Sequence, residues 1–448
     1  MRSTARQQRI HRRLQTARQS LTGSLWFFPG LIVIGAVVLA MAMIELSRAV
    51  GRAPLVERLP LAFGADAESS RSMLATIAGS VITVAGVTFS ITVVAVSQAS
   101  TQYTPRVLRN FMRDRPSQMA LGFLVGVFSY CLIVMRTIRG TADAEFIPSL
   151  AVLGGLLLAL VGIGFLVFFI HHVASSLEAG TIISRIAQET ADAIDRLFPE
   201  ELGSEGPSKE PGAQGLELEW RSVEACSTGY IQNVDSEGLM QAAGEFGLVV
   251  RMERGIGDFI AEGDHLLSVS GPSALTSDQQ RLLMDLFSID SYRTVYQDAA
   301  FGIRQIVDIA LRALSPGVND PTTAAICVDF LGAILRRLAG RRIEGPLRMA
   351  GGRLRVIAVV PTFSSLLGIA LNEIRRNAAA NARLLARMIG VLESIDRMTP
   401  SRDRKELLLL HAEYIRLSAE EAIQRAEDRQ EVLDAFARFL ARSREVRA

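Results

Sequence analysis

The sequence predicts an α-helical integral membrane protein with four transmembrane helices, followed by a cytoplasmic α+β region built of a small β-rich module and helices. Three observations carry that expectation. Apolar residues crowd the first 172 of 448 positions and charges crowd the rest. The apolar part holds four runs, near 25–44, 73–97, 119–138 and 148–171. At 1.5 Å per residue each can cross a hydrocarbon layer of roughly 30 Å. After residue 215 short alternating apolar runs give way to helical periodicity.

Composition removes several function classes. The chain has 48 Lys and Arg against 46 Asp and Glu, which gives no general case for binding nucleic acid. Lys209 and Lys405 are its two lysines, a bias that fits a GC-rich bacterial genome. Cys131, Cys226 and Cys327 are too scattered for a disulfide framework or a zinc site.

Residues 1–24 form a basic cytoplasmic N-terminus without an acid. Ala40-Met41-Ala42 has the small-residue pattern of a signal cleavage site. The long basic lead and three later spans favour a retained first helix instead. Trp26, Phe27 and Phe28 then mark the inner interface.

The second run, TIAGSVITVAGVTFSITVVAVSQ, is unlike a plain anchor. Thr76, Ser80, Thr83, Ser90 and Ser97 recur with Gly79 and Gly86 at helical steps, opposite a wall of Ile and Val. Such a stripe is expected to face protein or water rather than lipid. Tight helix packing explains it through small residues and hydroxyls that bond across helices or to their own turn. A water-lined path is the alternative.

The third run contains Gly122 and Gly126 in a GxxxG, and the fourth contains Gly155 and Gly162, both signals of close helix contact. Arg106, Arg109, Arg113 and Arg115 crowd the loop after the second run. By the positive-inside rule that loop and both termini are cytoplasmic, in a bacterial inner membrane. No Asp, Glu, Lys or Arg lies mid-span, which argues against a coupled pump and leaves a passive channel open. Four helices are too few to enclose a wide path, so several subunits would line it, with Arg106 and Arg109 at an anion-favouring mouth. Simple orientation explains those arginines as well. His171 and His172 read as interfacial residues.

Residues 173–198 form a helical extension, and 199–215 are a linker rich in Gly, Pro, Glu and Ser. Residues 216–271 form the β-rich module. Its GIGDFIAEGDHLLSV has the turn rhythm of lipoyl-like barrels, but no lysine lies between Lys209 and Lys405 to carry a prosthetic group. Gly255 and Gly257 lack the third glycine of a dinucleotide loop and read as turn glycines.

Residues 272–448 are mainly helical, beginning with DAAFGIRQIVDIALRALSPGVNDPTTAAICVDFLGAILRRLAG from Asp298. Here Arg304, Asp308 and Arg312 stand four apart, so the acid can pair on either side. Asn319 precedes Asp320, and Asp320-Pro321 predicts a cap and first turn, ended by Arg336, Arg337 and Gly340. Each polar residue has a structural role, yet the amides near Thr322 and Thr323 also suit an anionic ligand. A strand is expected at 354–361, then one amphipathic helix from Ile369 to Leu392, a second over 403–426 and a short third near 432–440. His265 and His411 are isolated.

VTFSITVVAVSQASTQYTPRVL and QDAAFGIRQIVDIALRALSPGVNDPTTA together resemble the bacterial predicted membrane protein family called domain of unknown function 2254. The resemblance implies four N-terminal spans and a large cytoplasmic region, and no known activity.

The expectation is therefore a homo-oligomeric passive channel with a regulatory cytoplasmic domain, its partners being lipid, further copies of itself and a small anion or ion. The alternative is a membrane-anchored sensor or scaffold that uses the helix pair 298–340. No cofactor, metal site, nucleic-acid partner or catalytic constellation is expected, because nucleophile elbow, Walker and HExxH motifs are absent from the sequence.

Overall fold

The computed structural model describes residues 26–50, 66–102, 114–141, 144–176, 178–198, 219–272 and 274–445. The basic N-terminus 1–24, the linker 199–215 and the pore-mouth residues Arg106 and Arg109 lie outside the described residues. The chain forms two compact units, Met1–Glu178 and Ala179–Ala448.

The first unit contains α1 (Phe27–Val50), α2 (Ala67–Gln102), α3 (Arg115–Thr137) and α4 (Ser149–Ser176), with a hairpin of β1 (Arg139–Thr141) and β2 (Ala144–Phe146) between the last two. All four helices are long and apolar enough to cross a membrane. With 36 residues, α2 is about 54 Å long, well beyond a hydrocarbon layer of roughly 30 Å.

Helix α3 is the one the others close on. Half of its apolar window is buried, against 17% for each of the other three. Asp114 starts it, accepting from the Ser117 amide at 3.2 Å. A Cβ on Gly122 would stand 2.7 Å from Pro29 Cα, and one on Gly126 would stand 3.3 Å from Ala36 Cβ. The GxxxG is thus the seam where the α1 backbone approaches. On α4, a Cβ on Gly154 would fall 2.6 Å from the Tyr130 hydroxyl, and one on Gly155 2.8 Å from Leu74. The buried Tyr130 hydroxyl donates to the Ala151 carbonyl at 2.8 Å. In a bilayer, whose lipid tails are as apolar as leucine, close packing and interhelical bonds of this kind are what would hold such helices together.

The second unit begins with α5 (Ala179–Leu197). Two sheets follow, made by β3 (Arg221–Glu224), β4 (Gly229–Val234), β5 (Val249–Met252), β6 (Phe259–Ile260), β7 (His265–Ser270) and β8 (Phe287–Asp290), with α6 (Ser236–Glu245) and α7 (Ser277–Met284) between strands. The hairpin β9 (Leu347–Ala350) and β10 (Arg353–Ile357) returns much later to complete one of them. The orders are β3-β7-β5-β10-β9 and β6-β4-β8. Among the described residues only the β5–β10 pairing is parallel. Val223, Ile231, Val250, Leu267, Val269 and Val356 share one core, so the sheets draw on three strands beyond residues 216–271.

The helices are α8 (Ala299–Ala313), α9 (Pro321–Ala339), α10 (Phe363–Asn377), α11 (Ala382–Met398), α12 (Arg402–Ala422) and α13 (Ala426–Glu445). The single helix expected over 369–392 is two. Asn381 accepts from the Leu384 amide at 3.0 Å and starts α11 afresh, the local bonding by which asparagine competes with helix continuation. The third C-terminal helix is longer than expected.

Helices α5, α8 and α9 pack closely. A Cβ on Gly302 would run into Thr190 Oγ1. Asp195 of α5 accepts from Arg337 Nε and from Arg341, each at 2.7 Å. Arg404 of α12 donates to the carbonyls of Leu338, Ala339 and Arg341 at 3.2, 2.9 and 2.9 Å, satisfying the open end of α9. Adding one methyl at Gly302 therefore has a definite consequence. Gly302→Ala is expected to destabilise by about 1–3 kcal/mol and to lower the melting temperature of the purified protein, with partial recovery in the double variant carrying Thr190→Ala.

Candidate functional site

The second helix carries the site the sequence singles out. Leu74, Ala78, Ala85, Thr88 and Ala95 are its buried side. Thr76, Ser80, Thr83, Ser90 and Ser97 are all exposed. At 100° per residue they lie on the opposite side of the helix, together with Ser72. A Cβ on Gly79 or Gly86 would meet nothing within 4 Å. Packing among the described residues is therefore not what the stripe serves. Beyond Thr76 it points away from the other three helices.

The hydroxyls satisfy themselves along the helix. Thr76 donates to the Ser72 carbonyl at 2.8 Å, Ser80 to Ile77 at 3.0 Å, Thr83 to Gly79 at 2.8 Å and Ser90 to Gly86 at 3.0 Å. A hydroxyl has one proton to give and two lone pairs. With the proton turned back, the stripe offers acceptor oxygens outward. Beside it, Ile82, Phe89 and Val93 are 39%, 50% and 51% exposed and form an apolar wall suited to lipid. Near one end a shallow groove is lined by Glu68, Ser69, Ser72, Met73, Thr76 and Leu156.

The 298–340 pair is a different case, because its own side chains occupy its helix ends. Asp298 is buried, caps α8 through the Phe301 amide at 2.9 Å, and accepts from Arg293 at 2.9 and 2.7 Å. Burial pushes its carboxyl up, and the Arg293 charge opposes that. Gly257, at φ +88°, leaves room for this pair, since a Cβ there would press on both side chains. Asp320 accepts from the Thr323 amide at 3.0 Å and from its hydroxyl at 2.5 Å. With Thr322 also donating, these bonds hold its carboxyl below the usual range. The amides that suited an external anion are thus taken by Asp320. Asn319 stands just before it at φ +50°, a left-handed conformation asparagine tolerates. Arg304 bonds Asp308 at 2.9 Å and forks onto Glu373 of α10 at 2.5 and 3.0 Å. Arg312 lies one turn beyond Asp308 on the same helix.

One pair escaped the sequence reading. His172 Nε2 lies 2.8 Å from Asp114 and 3.4 Å from the Ser176 hydroxyl. A hydrolytic triad needs serine and acid on opposite ring nitrogens, whereas both meet the same one here. The pair ties the start of α3 to the end of α4. Among the described residues no group of His, Cys, Asp and Glu could hold a metal ion.

A family model described as a predicted membrane protein (DUF2254) matches residues 22–394. Uncharacterised proteins of Mycobacterium bovis and Mycobacterium tuberculosis are each 30% identical over 428 residues, covering 93% of this chain and 80% of theirs. No solved structure matches the chain.

The Asp320 cap gives a pH-dependent expectation. Its folded carboxyl sits below the unfolded value, so its stabilisation is full above about pH 3.9 and is lost as pH falls through the folded value. Asp320→Ala should cost about 0.5–2 kcal/mol at pH 7, a deficit that shrinks in acid, and Asp320→Asn should cost less. Thermal melts across that pH range check both.

Proposed function

Because the chain belongs to the DUF2254 family of predicted membrane proteins, we propose that it acts as a homo-oligomeric passive channel of the bacterial inner membrane. Several copies turn the polar stripes of α2 toward one axis. Both termini lie in the cytoplasm, and residues 179–448 regulate the path. The observation that carries this reading is the outward direction of Thr76, Ser80, Thr83 and Ser90.

Val87 and Val94, 54% and 66% exposed, share the stripe's side, but its hydroxyls and glycines gain little from lipid tails, and a lone bundle would leave them there. Apposed stripes would instead give a path lined by acceptor oxygens. The absence of charged residues at mid-span in the sequence fits passive passage better than coupled pumping. The sensor reading draws less support, since Asp320 itself takes the helix-end amides offered to an anion. The proposal involves no catalytic step.

Ion flux through purified protein in liposomes tests it. Wild type should conduct, and Thr83→Leu and Ser90→Leu should abolish or strongly reduce flux while leaving assembly intact. Phe89→Leu, on the apolar wall, should conduct as wild type does. Flux equal in all four proteins, or absent in all under voltage, tension and osmotic stress, would remove the path along α2.

A further inference from the structure

We propose that the exposed face of α12 is a self-association surface on which α12 of a second copy of this chain lies parallel. The inference concerns the 179–448 unit and does not depend on conduction through α2. Along α12, Asp403, Leu407, Leu410, Tyr414, Leu417 and Glu421 follow one another at alternating steps of four and three, the seam spacing of a two-stranded coiled coil. Leu410, Tyr414 and Leu417 are 44%, 40% and 40% exposed. The apolar stretch from Leu407 to Leu417, bounded by the acids Asp403 and Glu421 and left open on a helix whose other side is packed, calls for a partner.

The flanks choose the partner and its direction. On one side Glu406, Glu413 and Glu420 stand seven apart. Arg402 pairs with Glu406 at 3.3 Å, and Arg416 bonds Glu413 at 2.5 Å and also pairs with Glu420, so two cations stand against three acids and the row keeps a net negative charge. On the other side His411 and Ser418 are buried against their own chain. There α10 supplies Arg375, whose guanidinium lies 5.8 Å from the Tyr414 ring and donates to Ser418 at 2.5 Å. Its buried Nε has no hydrogen-bond partner.

Antiparallel helices would set the glutamate row against itself. Parallel helices set it against the partner's Arg375 side, which is the complementary arrangement. The same acids disfavour a lipid surface, where amphipathic helices carry Lys and Arg on their polar flanks.

Disulfide trapping in the full-length protein tests this directly. Cys226 is exposed and is replaced by serine, while Cys131 and Cys327 are buried. Leu410→Cys, Tyr414→Cys and Leu417→Cys are made singly, with Arg402→Cys on another face as control. Facing seam positions of parallel helices fall within the about 4.4–6.8 Å Cα separation a disulfide spans. Mild oxidation should therefore give dimers at all three seam positions and not at Arg402. No dimer at any seam position would overturn the surface, and dimers at Tyr414→Cys alone would overturn its parallel direction. If trapping fails in protein that still conducts and assembles, this surface is refuted and the α2 reading is untouched.

Discussion

The approach of α1 to α3 at Pro29 and Gly122, too close for an added Cβ, is the contact on which the first unit depends. In lipid there is little hydrophobic gain when helices meet, so association has to come from dispersion between backbones and from interhelical bonds. Glycines on α3 and α4 supply the room, and the Tyr130–Ala151 bond supplies a polar tie. With α3 enclosed, only one side of α2 is needed for packing, and Leu74, Ala78 and Ala85 provide it. The hydroxyl side is left outside by the same geometry that closes the bundle.

The second unit solves its packing differently. Its helices meet through arginine forks, Asp195 with Arg337 and Arg341, and Arg304 with Asp308 and Glu373. A planar guanidinium satisfies two acceptors at once and loses less freedom per bond than lysine. A chain nearly without lysine therefore has a physical use for its arginines, whatever produced the bias. Charged side chains that look like ligand-binding candidates in sequence are mostly committed to neighbouring helices or to helix ends.

The four long apolar helices, the glycine seams and the Asp320-Pro321 helix start were legible in sequence because each is local: hydropathy, a four-residue spacing, a cap beside its helix. What was not legible depends on partners far along the chain. Asp114 and His172 are 58 residues apart and Arg304 and Glu373 are 69 apart. The parallel β10 strand joins β5 across more than a hundred positions. The α10–α11 break was missed because Asn377-Ala378-Ala379-Ala380-Asn381 has alanines that favour a helix, while the turn comes from local asparagine bonding. For α2, periodicity identified which residues share a face. It could not say which way that face turns, and the direction matters most for function.

Thiol labelling along α2 in native membranes tests that direction most directly. Single cysteines would replace Ser80, Thr83 and Ser90 on the stripe, and Ile82, Phe89 and Val93 on the apolar wall. A small, water-soluble, membrane-impermeant thiol reagent should modify the first three and spare the second three, because water reaches one face and lipid covers the other. Equal protection of all six would contradict a water-lined stripe and leave α2 as a lipid-facing helix.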